Sequence, residues 1–103
     1  MLVAVAQARE TITYEALLDR LAATDPALAS VARADLAALL RSVSVGEDES
    51  GRGLLTAVVV REGSGRPGGG WFRLAADRGR DGDPDTVWQQ ELRRVWDAHP
   101  AGD

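Results

Sequence analysis

The residues Arg61 to Phe72, REGSGRPGGGWF, hold five glycines, one proline and two arginines, and they end in two aromatics. Arginine can pair with phosphate, and a glycine run lets successive main-chain N–H groups turn toward one anion as a nest. If Trp71 points outward, it could stack on a base or anchor a protein partner. The same residues also suit a plain turn: proline presets the first dihedral of a type II turn at Pro67-Gly68, and glycine accepts the positive φ of the second. The GxxxxGK[ST] spacing of a P-loop is missing, and no GxGxxG opens a long helix, so nucleotide binding is not indicated.

No other residue pattern names a reaction. There is no cysteine, which removes disulfides, thiolate zinc sites and a cysteine nucleophile. His99 is the single histidine; without a second soft ligand it is a poor metal candidate and is expected at the surface. The carboxylate runs GEDES and DGDPD lack the spacing of an EF-hand loop and read as a solvated loop and a helix cap. Ser42, Ser44, Ser50 and Ser64 have neither a GxSxG elbow nor a partner base. A non-enzymatic protein without metal or cofactor is therefore expected.

The chain has 103 residues, 45% of them apolar, and a net charge of −4. That length suits one small domain over residues 1–103 with one core. No basic n-region precedes the apolar start MLVAVAQARE and no 18-residue apolar stretch occurs, so the expected setting is cytoplasmic, without membrane contact. The charge is unevenly spread. Residues 1–50 carry eight acids against four arginines, residues 51–80 six arginines against two acids, and residues 81–103 six acids against two arginines. An acidic chain is a poor general ligand for nucleic acid, since phosphate affinity comes from neutralised charge and released counterions; the basic island at 51–80 works locally against that field.

The elements that must position these groups follow from periodicity. Residues 2–9 lean toward a short helix. Thr13 is a good N-cap for a helix over 14–23, with Glu15 in its first turn and Leu17, Leu18 and Leu21 on one face. Asp25 and Pro26 open a helix over 26–42 with Leu28, Val31, Leu36, Leu39 and Leu40 as its stripe, and Asp35 offers a second start within it. Gly46 to Gly53 reads as an exposed loop. LLTAVVVRE has the β-branched density of a strand covered on both faces, and GGWFRL reads as its returning partner, giving a hairpin over 54–74. Asp83 and Pro84 cap a closing amphipathic helix over 84–98, where Trp88, Leu92, Val95 and Trp96 share a face. The expected fold class is α+β, in a winged-helix-like order.

Two resemblances rest on these residues. ITYEALLDRL followed by LLTAVVVREGSGRPGGGWF, within residues 11 to 75, resembles the C-terminal DNA-binding domain of alkylguanine-DNA alkyltransferases and alkyltransferase-like proteins. Laying Val59 and Val60 on that family's paired valines puts Thr56, Ala57 and Val58 where its reactive cysteine, histidine and arginine would stand, so the alkyl-accepting chemistry does not carry over. GRGLLTAVVV and GRPGGGWF are also similar to a GRPLLSALVV…GRPGKGFF pattern shared by small uncharacterised bacterial proteins, a likeness that implies no activity.

Two readings of function stay open beside an enzyme of unrecognised type. One is a winged-helix-like module that contacts nucleic acid through Arg33 and Arg41 on the second helical segment and Arg61, Arg66 and Arg73 on the wing. The other is a protein-interaction module whose acidic helices or Trp71 edge meet another polypeptide, with an exposed apolar patch near Trp71. The oligomeric state is not set by the sequence.

Overall fold

The computed structural model describes residues 2–24 and 33–100. Its elements in chain order are α1 (Leu2–Gln7), β1 (Ile12–Thr13), α2 (Tyr14–Thr24), α3 (Arg33–Glu49), a single 3-10 turn (Leu55–Val58), β2 (Val59–Val60), α4 (Gly69–Asp77) and α5 (Pro84–Ala98). The result is an α+β arrangement, mostly helical, with a two-stranded parallel sheet in which Ile12 faces Val59 and Thr13 faces Val60.

The centre of the fold is not a helix. Gly53 to Val60 are all buried, and α1, α3 and α5 pack around the 3-10 turn. Seven consecutive apolar or small residues, LLTAVVV, can be enclosed on every side, but the main chain they bring inside needs hydrogen-bond partners. The surrounding helices supply them. From α3, the Ser44 hydroxyl accepts from the Thr56 N–H at 2.9 Å and shares a second hydrogen bond with the Thr56 hydroxyl. From α5, Trp88 Nε1 donates to the Ala57 carbonyl at 2.9 Å, and Glu91 Oε2 accepts from the Leu54 N–H at 2.7 Å. The buried polar residues Ser44, Thr56 and Glu91 thus serve the irregular segment they enclose.

Local sequence sets the helix starts. Thr13 Oγ1 accepts from the Ala16 N–H at 3.1 Å at the start of α2. Asp83 Oδ2 accepts from the Thr86 N–H at 3.1 Å ahead of Pro84, where the missing proline N–H costs nothing.

Several sequence expectations are corrected. The returning strand expected over GGWFRL is the first part of α4, so the 54–74 hairpin is replaced by a parallel β1–β2 pair and a helix. Trp71, Leu74 and Ala75 are the buried residues of α4, and their spacing matches one helical face rather than the alternation of a strand. The chain reverses earlier than Pro67-Gly68. The Arg61 N–H donates to the Arg66 carbonyl at 2.8 Å, around Gly63 and Gly65 with φ of 84° and 66°. Gly68 has φ −75° and ψ 170°, incompatible with the second turn position.

The loop expected from Gly46 is helical as far as Glu49. Gly46 weakens a helix interior by about 1 kcal/mol, but Glu47 and Asp48 are tied to Arg52, Arg78 and Arg80, which holds the last turn in place. Of the helix expected over 26–42, residues 26–32 lie outside the described residues; α1 ends at Gln7 rather than residue 9. His99 is buried rather than exposed, with Nε2 4.0 Å from Glu47 Oε2.

Candidate functional site

The arginines proposed for phosphate contact differ in what they meet. Arg66 is drawn to α5 by Asp85 and lies 5.6 Å over the Phe72 ring. Arg41 meets Asp77 at 3.4 Å, on an exposed part of α3. Arg73 is exposed on α4, Arg61 is exposed directly after β2, and neither shows an ion pair among the described residues. The Arg33 side chain lies outside the described residues. Trp71 is only 6% exposed and stacks edge-on against Phe72 with ring centroids 5.2 Å apart, so it is not an outward platform.

The remaining arginines of the basic island are structural. Arg80 lies between two carboxylates. Its Nη1 and Nη2 donate to Asp48 at 2.9 and 2.6 Å, while Nε and Nη2 donate to Glu91 at 3.0 and 3.1 Å. Arg78 Nε adds a bond to Asp48 at 2.9 Å. This network joins the end of α3, the loop after α4 and the middle of α5, and Glu91 passes it on to the Leu54 main chain. Gly53 makes that approach feasible. Its φ is +85°, and a Cβ there would stand 2.9 Å from Glu91 Oε2.

Hydrogen bonds from the Arg80 guanidinium hold the Asp48 carboxyl well below its usual value, at about 2 rather than 3.8, against burial, which acts the other way, and with Arg78 as a further cation. In the unfolded chain Asp48 titrates near 3.8. Its contribution to stability is therefore complete above that pH and is lost as pH falls through 3.8 toward 2. The urea midpoint is expected to fall across this window, with a shallower fall in Asp48→Asn; equal slopes in both proteins would show that Asp48 is not the titrating group.

Two of the concave regions among the described residues could receive a ligand or partner. The first is an apolar groove of about 310 Å³ between α1, α2 and α3, lined by Val3, Leu17, Leu21, Leu36, Leu39 and Val43 with Glu47 at one end. Val3, Leu39 and Val43 are the large apolar side chains that stay exposed there, Leu39 at 59%. The second is a cavity of about 240 Å³ beside the α4 N-terminus, whose wall includes Tyr14, Ala37, Arg41, Gly70 and Trp71. It adjoins an outer cleft lined by Tyr14, Ala37, Arg61, Glu62 and Gly69. Arg41, Trp71 and Arg61 of the sequence-derived site thus come to one region, whereas Arg66 and Arg73 line neither part of it.

The sequence reading missed the groove because Leu39 belonged to the expected core stripe. Val43 carried the signal: Leu39 and Val43 are one helical step of four apart and fall outside the buried Leu36–Leu40 line. Among the described residues no cluster of His, Asp and Glu could hold a metal ion, and no helix is long and apolar enough to cross a membrane. No family model, curated protein or solved structure matches the chain.

Proposed function

We propose that this protein is a non-catalytic protein-interaction module whose α1–α2–α3 groove receives an amphipathic helix with basic residues at the ends of its apolar ridge. The observation that carries this reading is the outward pair Leu39 and Val43 on α3, with exposed Asp35 one step before them and half-buried Glu47, held by Arg52, one step beyond. Residues four apart stack along one side of a helix, so two apolar side chains stand in the open with a carboxylate beyond each end. Three large exposed apolar residues beside one continuous groove are more than scattered surface leucines, and a helix laid in a groove uses anchors at this spacing.

Charge selects the partner. The first half of the chain is acidic, and a second copy of α3 packed antiparallel on the first would bring Asp35 toward Glu47, carboxylate against carboxylate. A cationic partner helix meets opposite charge at Asp35 and the edge of Glu47. Glu47 also holds Arg52, which leaves Asp35 as the freer of the two. The nucleic-acid reading draws its support from Arg61 and Arg73, the island arginines without an ion pair among the described residues. A winged-helix description would have to do without a hairpin wing.

The test is anisotropy of a labelled amphipathic peptide with the ridge Lys-x3-Leu-x3-Leu-x3-Lys, beside the same peptide with Glu for Lys. The cationic peptide is expected to bind. Leu39→Glu should weaken it by at least about tenfold, because burying one leucine is worth about 1.5–3 kcal/mol and each decade of affinity about 1.4. Equal affinity of the two peptides, or no effect of Leu39→Glu, would contradict the reading.

A further inference from the structure

His99 is the single histidine of the chain and stands at the end of α5, turned into the fold. It is 8% exposed, and its Nε2 has no hydrogen-bond partner. A buried ring nitrogen left in this way is uncommon. The carboxylate within reach of it is Glu47 on α3, whose Oε2 lies 4.0 Å from Nε2. That spacing is too long for a hydrogen bond to a neutral ring and short enough for attraction once the ring is charged. The same Oε2 already accepts from Arg52 Nε, and Glu47 closes one end of the apolar groove. One carboxylate thus joins the buried imidazole to the groove.

The other charges around α5 are committed elsewhere or exposed. Helix α1 and the 3-10 turn, which pack on α5, carry no charged side chain. On α3, Asp48 is held by Arg78 and Arg80. On α4, Asp77 meets Arg41 and Arg73 is exposed. On α5 itself, Glu91 is held by Arg80, Asp97 is paired with Arg9, and Arg93 and Arg94 are exposed. Among the described residues, Glu47 with its Arg52 is therefore the charged pair that faces the ring.

We propose that His99 makes the groove pH-sensitive: protonation of the ring claims Glu47 and weakens the hold on a cationic partner helix. This rests on the groove reading above. Histidine changes charge between about pH 5 and 8, whereas aspartate and glutamate ordinarily keep theirs there. With the ring neutral, Glu47 and Arg52 sum to zero, and the carboxylate edge can still receive a lysine. With the ring protonated, two cations face one carboxylate, the local sum becomes +1, and the same lysine is repelled. The Asp35 end has no such control, because the chain has no second histidine. Coupling is reciprocal, so a lysine bound beside Glu47 must also make His99 harder to protonate.

The experiment measures the affinity of the Lys-ended peptide for the full chain at about pH 7.5 and 5.5 and constant ionic strength, with His99→Gln alongside. The native chain is expected to bind about threefold more weakly at the lower pH, the factor that goes with one exposed ion pair, and His99→Gln equally at both. A second readout needs no variant at position 99: the imidazole Cε1–H signal of the native chain, followed through pH with and without saturating peptide. Its midpoint should move down by about half a pH unit with peptide, the same threefold factor. In free Glu47→Gln it should also move down, since the carboxylate partner is gone. Binding of equal strength at both pH values, the same pH dependence in His99→Gln, or a midpoint that ignores the peptide would overturn the control and leave the groove standing. No binding at either pH would overturn both, and a midpoint that still responds to Glu47→Gln would then place the fault in the groove reading.

Discussion

Glu91→Ala is expected to destabilise the protein by about 3–5 kcal/mol, the range found when one member of a buried ion pair is removed. Glu91 is 3% exposed, accepts two bonds from Arg80 and satisfies the Leu54 N–H. The substitution therefore takes one of its two carboxylate partners from a largely buried guanidinium and leaves a buried main-chain donor unsatisfied. Against a total stability of about 5–15 kcal/mol for a domain of this kind, the variant should lose a large share of its stability. Chemical denaturation checks this. Replacing both partners, as in Arg80→Met with Glu91→Leu, is expected to cost less than Glu91→Ala alone, because the guanidinium goes with its carboxylate and Asp48 keeps Arg78. A double variant less stable than the single one would show that the attraction within the pair outweighs the cost of burying it.

The second large effect is at Gly53. Gly53→Ala must hold an alanine at positive φ, which costs about 1–3 kcal/mol in backbone strain. It also brings a methyl to 2.9 Å from Glu91 Oε2, so the carboxylate has to leave the Leu54 N–H. Gly51 and Gly79 have similar positive φ and nothing within 4 Å of an added Cβ. Thermal melts of the three alanine variants thus separate strain from crowding: Gly53→Ala should fall furthest in Tm, and equal falls would mean that the Glu91 contact carries no weight.

How much of this was legible in the sequence depends on where the deciding interactions lie. The starts of α2 and α5 were readable because Thr13, Asp83 and Pro84 act within one turn of themselves. The buried character of LLTAVVV was readable from its composition. Its conformation was not: strand propensity measures the fit to a pleated neighbour, and here helices, Ser44, Trp88 and Glu91 supply the partners instead. Segment 69–77 was misread because Gly69 and Gly70 hide the helix start, while Trp71 and Phe72 imitate alternation; the spacing from Trp71 to Leu74 and Ala75 held the correct signal. The basic island was visible as composition, but its pairing was not. Asp48 and Glu91 lie 32 and 11 residues from Arg80, and no local rule joins them.

The groove along α3 is proposed to take a cationic amphipathic helix. It is tested most directly by mapping amide shifts of the ¹⁵N-labelled protein with the Lys-ended peptide and, separately, with a short DNA duplex at low salt. The peptide shifts are expected to cluster on Val3, Leu21, Leu39 and Val43 and to vanish in Leu39→Glu, while the duplex leaves the spectrum unchanged. Shifts centred on Arg61 and Arg73 with the duplex, and none along α3 with the peptide, would contradict it.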